Sequence, residues 1–412
     1  MSRGRVVSSF GLAVLFVGCR FPELPVIGED ASDGPADGAP IDTPPVGDAT
    51  DAPIDAVDAR PVRTGPLVTN NQAADLVIGQ PSFGTNTDRG VTAQSFQPDG
   101  IAFASGRLWA TDYFRHRVLG WSSPTTSDPP ATYVLGQTSF TNGAATNATA
   151  SSMFQPTGVA ASGTTVMSVD SYNRALVWTS LPSTPGQAAD LVLGQPDFTS
   201  TTLGTGPNQL RVPTAVWTDG TRVLIRGGFT SPRMWSWTAF PTANAAPASA
   251  LMVGGVTTNA TEFTPALGVF SDGNRLVISD WPKHRVMIWN TIPAASGTPA
   301  DVVVGQPTFS TETSGTGAAS LNGPQAAIII DGALVVADGA NDRVLFYDPV
   351  PTASGASASY VLGQATTTAA VVDQAPTDQT LNNPMGLAFD GRHLYVSDHD
   401  NRRILRYTLN LP

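Results

Sequence analysis

The 412-residue chain has a single cysteine, Cys19, and only four histidines, His116, His284, His393 and His399. One cysteine excludes an internal disulfide and a thiolate metal cluster. Lysine is almost absent, and residues 64–412 hold only two glutamates, Glu262 and Glu312. No apolar run reaches the ~20 residues a membrane-spanning helix needs. There is no basic stripe of the kind that follows a phosphate backbone, so no nucleic-acid partner is expected. Nucleophile-elbow, phosphate-loop and zinc motifs are also missing. No cofactor, metal ligand set or catalytic residue is therefore assigned.

What the chain does have is unevenly spread. Of the net charge of −11, −7 falls in residues 20–63 and only −6 in residues 64–412, partly offset by Arg3 and Arg5. Forty glycines and 34 prolines suit many short strands joined by turns.

The first 18 residues read as an address. Arg3 and Arg5 precede a mostly apolar Val6–Gly18, the length of a signal h-region. The Gly18-Cys19 junction resembles the lipobox of bacterial lipoproteins, with Phe16 where that family usually has Leu. The resemblance implies cleavage before Cys19, lipid attachment to it, and a membrane association through the lipid alone. Arg20 in place of Asp after the cysteine implies an outer-membrane destination in the cell envelope. Residues 19–63 are rich in Asp, Ala, Pro and Gly and lack the apolar side chains to offset chain entropy. They read as an extended, disordered acidic stalk.

From residue 64 to 412 the chain repeats. DLVIGQ (75–80), TYVLGQ (132–137), DLVLGQ (190–195), ALMVGG (250–255), DVVVGQ (301–306) and SYVLGQ (359–364) recur every 51–60 residues. Between them stand a proline opening a small-and-apolar run (Pro98, Pro156, Pro213, Pro265, Pro324, Pro384), a β-branched run ending in Asp, and an Arg four residues before an aromatic. Each repeat thus holds four short strands, here a, b, c and d, which is the content of a β-propeller blade. The order P-x-G-[VIL]-A, V-x-D, N-x-R-V, clearest at 383–407, resembles the NHL repeat. The first recognisable strand (75–80) is type d and the last (403–407) is type c. The predicted fold is all-β: a six-bladed propeller, four antiparallel strands per blade, with the N-terminal strand closing the last blade so that no edge is free.

Asp112, Asp170, Asp280, Asp338 and Asp398 end strand b, and Arg117, Arg174, Arg285, Arg343 and Arg403 follow four or five residues on. A pair repeated in five blades reads as a structural brace of the b–c turn. His116 and His284, equivalent to each other in the repeat, read as turn residues. Blade three departs, with Gly227 for the Asp and Arg226 before it. Long d–a connections and the b–c turns should share one face. Gln97, Asp99, Tyr113, Gln155, Tyr172, Arg226, Trp281 and His399 are the candidate binding residues there, because aromatic and polar side chains on loops of a rigid scaffold are a common recognition surface. The function expected is a monomeric, surface-tethered module binding a protein, glycan or small molecule. The alternative, implied by resemblance to related six-bladed propellers, is a metal-dependent hydrolase or lyase of lactonase or amidating-lyase type.

Overall fold

The computed structural model describes residues 63–228, 231–264 and 268–412. The signal segment, Cys19, the stalk up to residue 62 and Pro265 lie outside the described residues. Among those described, 24 strands form six separate four-stranded sheets.

Every strand pair is antiparallel, as short hairpin connections require. Blade one runs Pro98–Ala104, Arg107–Asp112, Arg117–Ser122 and Tyr133–Leu135. The next four follow the same a–b–c–d order, with inner strands Gly158–Ser162, Pro213–Thr218, Gly268–Ser271 and Pro324–Ile330. Blade six takes Pro384–Phe389, His393–Asp398 and Arg403–Thr408 from the C-terminus and Leu76–Ile78 from the N-terminus. Leu76, Val77 and Ile78 pair with Arg406, Leu405 and Ile404. The first and last strands of the fold are therefore hydrogen-bonded neighbours, as the repeat phase predicted.

Inner strands meet their neighbours through small residues. A Cβ on Gly100 would lie 3.2 Å from Gly158 Cα, one on Gly158 3.2 Å from Ala215 Cα, and one on Gly386 2.5 Å from Asp99 O. Glycine or alanine at this place lets six strands crowd around one axis. Alternate side chains of each blade pack against the blade before and the blade after. Leu224, Met234, Phe263, Leu276 and Ile278, for example, fill the space between blades three and four.

The outer edges are closed too. A d-strand N–H is capped by a side-chain oxygen from the next blade's c–d loop: Asn244 on Val192 (3.0 Å) and Ser354 on Val303 (3.1 Å), each the middle residue of its strand, and Ser296 on Val253 (2.9 Å), the last of its strand. For blade five the cap is Asn70 on Val361 (3.0 Å). The segment before Leu76 thus performs for blade six what a c–d loop performs elsewhere, and blocks an exposed pairing edge. Arg63 joins this body, ion-paired to Asp331 (3.0 Å) and Asp348 (2.7 Å).

Candidate functional site

The d–a and b–c connections lie at the same end of the strands and make one face, built on buried clamps. Asp112 pairs with Arg117 across the b–c turn, Nε to Oδ2 at 2.8 Å, both side chains wholly buried. Arg117 also donates to Phe140 O in the d–a loop that follows its blade, and to Thr92 O and Ser95 O in the loop that precedes it. Asp112 accepts the Gln97 N–H at the end of that preceding loop. Arg174, Arg285, Arg343 and Arg403 repeat this, each paired with its Asp and each joining two loops. Burial pushes the Asp338 and Asp398 carboxyls above their ordinary range against the pull of the arginines, and raises Asp170 to about 6.

The conserved-looking Gly-Gln at the end of strand d has a matching task. Gln80, Gln137, Gln195, Gln306 and Gln364 are buried, and each Nε2 donates to a b–c turn carbonyl and to a carbonyl seven residues downstream. The glycine before each has positive φ, and the bulky loop residue on it leaves no space for a Cβ: Leu210 atoms lie 2.4 Å from where a Cβ of Gly194 would sit. In the sequence this motif marks the repeat; in the folded chain it holds the loops.

The residue before each clamp arginine is left-handed; in four blades it is His116 (φ 55°), Asn173 (62°), His284 (50°) or Asp342 (52°), and in blade six it is Arg402 (54°), which stands outside the latch formed by the other four. Asn, Asp and His tolerate that region better than most residues. Their side chains accept the backbone N–H at the entry to the next blade, from Gln155 (3.1 Å), Val212 (2.9 Å), Gly323 (3.1 Å) and Asn383 (2.8 Å). His116 and His284 are thus inter-blade latches, and burial holds their pKa values below the usual imidazole value. Gln155 takes part through its backbone, its carbonyl accepting the Ser171 hydroxyl.

Between blades six and one the structure brings together four of the sequence candidates. A bulge between Pro98 and Ile101 breaks the alternation of the inner strand at Asp99. Asp99 Oδ1 lies 3.2 Å from His399 Nε2, and the carboxylate accepts the Tyr113 N–H. His399 Nδ1 lies 2.8 Å from Asp400 Oδ1, and the Gln97 amide nitrogen is 3.3 Å from the same ring nitrogen. Burial acts to lower the His399 pKa, but Asp400 and Asp99 outweigh it and raise it to about 9. The ring is an imidazolium at neutral pH. Burial acts the other way on Asp99 and pushes its carboxyl up, opposed by His399. Asp99 Oδ2 is buried with no hydrogen-bond partner.

The other candidates lie apart from this cluster. Tyr172 is tied down: its hydroxyl donates to Thr146 O and its ring packs 5.3 Å from Phe154, which stacks on His116. Trp281 stands in the blade-four turn, 41% exposed. Arg226 is fully buried between blades three and four, donating to Thr264 O with its guanidinium 4.7 Å from the Phe263 ring centroid; burial lowers its pKa to about 10. Gly227 pairs with Arg233 where other blades have Asp, and Val212 O would lie 2.6 Å from a Cβ there, so backbone fills the carboxylate's place. Phe114, beside Tyr113, is the most exposed aromatic ring of the face at 56%. Among the described residues no three His, Cys, Asp or Glu side chains gather as a metal site.

No protein-family model matches the chain, and no curated protein matches it by sequence. Solved structures similar in shape include a nidogen/laminin complex (TM-score 0.40, 15% identity, covering 64% of this chain and 83% of that one). Another is a PQQ-bound aldose sugar dehydrogenase from Streptomyces coelicolor (0.44, 15%, covering 78% and 96%). A third is an auxiliary nutrient binding protein from Bacteroides thetaiotaomicron (0.48, 10%, covering 77% and 70%).

Proposed function

We propose that the propeller is a binding module that works through its d–a/b–c face. One observation carries this reading. Of the seven large hydrophobic residues exposed among those described, six stand on d–a or b–c connections: Phe114, Leu203, Val256, Trp281, Val371 and Val372. Exposed apolar side chains concentrated on one face, on loops held by buried arginines, favour recognition over chance, because rigid anchors lose little entropy on binding.

The mount of the domain agrees with that use. Arg63 is bonded to Asp331 in an a–b turn and to Asp348 at the end of a c strand. These belong to the opposite face, so residue 63 enters the body away from the binding loops. With Cys19 lipidated and residues 19–62 serving as a spacer, the module would stand on the bacterial envelope with this face free. The NHL-like repeat order supports a scaffold reading and assigns no reaction.

The test is capture. Immobilised wild-type protein should retain a partner from an envelope extract, and the Trp281→Ala/Leu203→Ser variant should retain at least about tenfold less, since truncating one or two anchors commonly costs 1–2 kcal/mol or more. Its melting temperature should stay within a degree or two of wild type. Equal capture by the variant would overturn the reading, as would capture lost only through unfolding.

A further inference from the structure

Blade three keeps the clamp arginine and lacks what satisfies it elsewhere. Arg117, Arg174, Arg285, Arg343 and Arg403 each meet a buried aspartate at 2.6–3.2 Å and also donate to loop carbonyls. Arg233 opens strand c of blade three at the same repeat position, but its partner in strand b is Gly227. Among the described residues its guanidinium has no hydrogen bond and no ion pair, and its Nε is buried without a partner. Residues 198–261 hold one acid, Asp219, which is paired with Arg222 in the a–b turn at the other end of the blade. The flanking acids, Asp197 and Glu262, cap their own loops at the Thr199 and Thr257 N–H groups. Arg226, fully buried on the opposite face of the sheet, adds a second guanidinium with Nε and Nη1 unpartnered. A half-buried cation with unmet donors is costly, so blade three is open to an acceptor from outside.

The repeat decides what kind of acceptor. In the other five blades the Nε of this arginine donates to a carboxylate oxygen. The planar fork of a guanidinium matches that group. Blade three cannot supply it from residue 227, since a Cβ there would lie 2.6 Å from Val212 O. The remaining approach is from solvent. Arg233 is half-buried, and Val253, its strand-d partner on the same face of the sheet, is 43% exposed. A carboxylate that reaches Arg233 from this side has an apolar side chain directly beside it.

We propose that Arg233 and Val253 form a site for a small aliphatic monocarboxylate, whose carboxylate accepts from the Arg233 guanidinium while its alkyl body covers Val253. One guanidinium within reach balances one negative charge. The alkyl body leaves no polar group buried and unpaired on the valine. The site goes beyond the binding-face reading and does not depend on it, because Trp281 and Leu203 take no part.

Full-length protein is titrated with hexanoate, and with acetate, hexanol, hexylammonium and inorganic phosphate for comparison, by calorimetry and by NMR of nitrogen-labelled arginine side chains. Hexanoate should bind saturably, shift one Nε–H resonance and raise the melting temperature, because it binds the folded chain. Acetate should bind more weakly, and hexanol and hexylammonium not at all. Arg233→Gln should weaken hexanoate at least about tenfold, the effect of losing a charge-assisted pair, and should remove the shifted resonance. Without ligand that variant should melt within about a degree of wild type, since Arg233 holds no partner to lose. Val253→Ser should weaken hexanoate about threefold, the worth of a partly covered side chain, and leave acetate unchanged. Val253 is exposed, so that variant remains informative if Arg233→Gln does not fold. No saturable hexanoate binding, binding unchanged in Arg233→Gln, hexanoate and acetate equally affected by Val253→Ser, or phosphate bound as tightly as hexanoate would overturn the proposal.

Discussion

At the scale of single residues, the buried Asp–Arg clamps decide how firmly the loops are held. Asp338 accepts from Arg343 and from Asn341 Nδ2, both out of solvent, and from the part-buried Asn322 N–H. Asp338→Ala should destabilise the protein by about 3–5 kcal/mol, because Arg343 stays buried without its counter-charge. A urea midpoint equal to wild type would show that the loop carbonyls alone satisfy Arg343. Exposed pairs such as Arg275–Asp272 should contribute far less, since solvent screens them.

The histidines divide into two kinds, and an NMR titration should separate them. His116 and His284 accept a backbone N–H at Nδ1 and are held neutral, their folded pKa values below the ordinary ~6.5. The unfolded chain therefore binds more protons, so their share of stability is present above pH ~6.5 and is lost as pH falls below it. His399 is the reverse: with a folded pKa of about 9, its contribution is complete below pH ~6.5 and disappears as pH rises through about 9. Replacing His116 and His284 with Asn, the residue blade two uses at this place, should flatten the acid-side loss of stability. Asp170, raised to about 6, gains stability as pH falls and so opposes the histidines; the difference between variant and wild type is the quantity to measure. An identical acid-side slope in the two proteins would refute the latch.

At the scale of the element, the strand Leu76–Ile78 illustrates how three residues can matter to a ring. It pairs with Ile404–Arg406, and Asp75 adds an ion pair with Arg406 at 2.6 Å. Deleting residues 1–62 should leave the melting temperature nearly unchanged. Deleting through Gln80 should lower it and promote aggregation, by exposing the backbone of the last c strand and the apolar side chains of blade six. Equal melting of the two truncations would rule out closure by this strand. The loops show the limit of pattern reading. The Asp–Arg spacing was plain in the sequence and pointed to a turn brace. That each arginine also gathers two loops, 22–27 residues away along the chain for four of them and, for Arg403, one of the two at Phe83 near the other end of the fold, was not visible, because carbonyl acceptors leave no residue-type signature. Blade three shows the converse: Gly227 and Gly255 were visible departures from the repeat, yet only the structure puts backbone in the missing carboxylate's place.

At the scale of the whole molecule, six unequal blades close a ring. A small residue, glycine or alanine, recurs on the inner strands at Gly100, Gly158, Ala215, Gly268, Ala326 and Gly386, where the strands crowd. One residue earlier the side chains differ: Asp99, Thr157, Thr214, Gln325 and Met385. Side-chain identity is free to vary there because the close strand contact falls on the following small residue.

The periodic part of the sequence by itself determined the fold class, the blade number and the phase of closure, since hydrophobic period and turn residues are local properties that repetition makes countable. It also brought Gln97, Asp99, Tyr113 and His399 into one set of candidates, through their places beside strand ends. Only the tertiary structure decided that Asp99 and His399, 300 residues apart in the chain, share a hydrogen bond, that Tyr172 is packed while Phe114 is bare, and that Arg226 is buried between blades. Those outcomes depend on which side chains face each other across a closed ring. Contacts between blades one and six exist only once the ends of the chain have met.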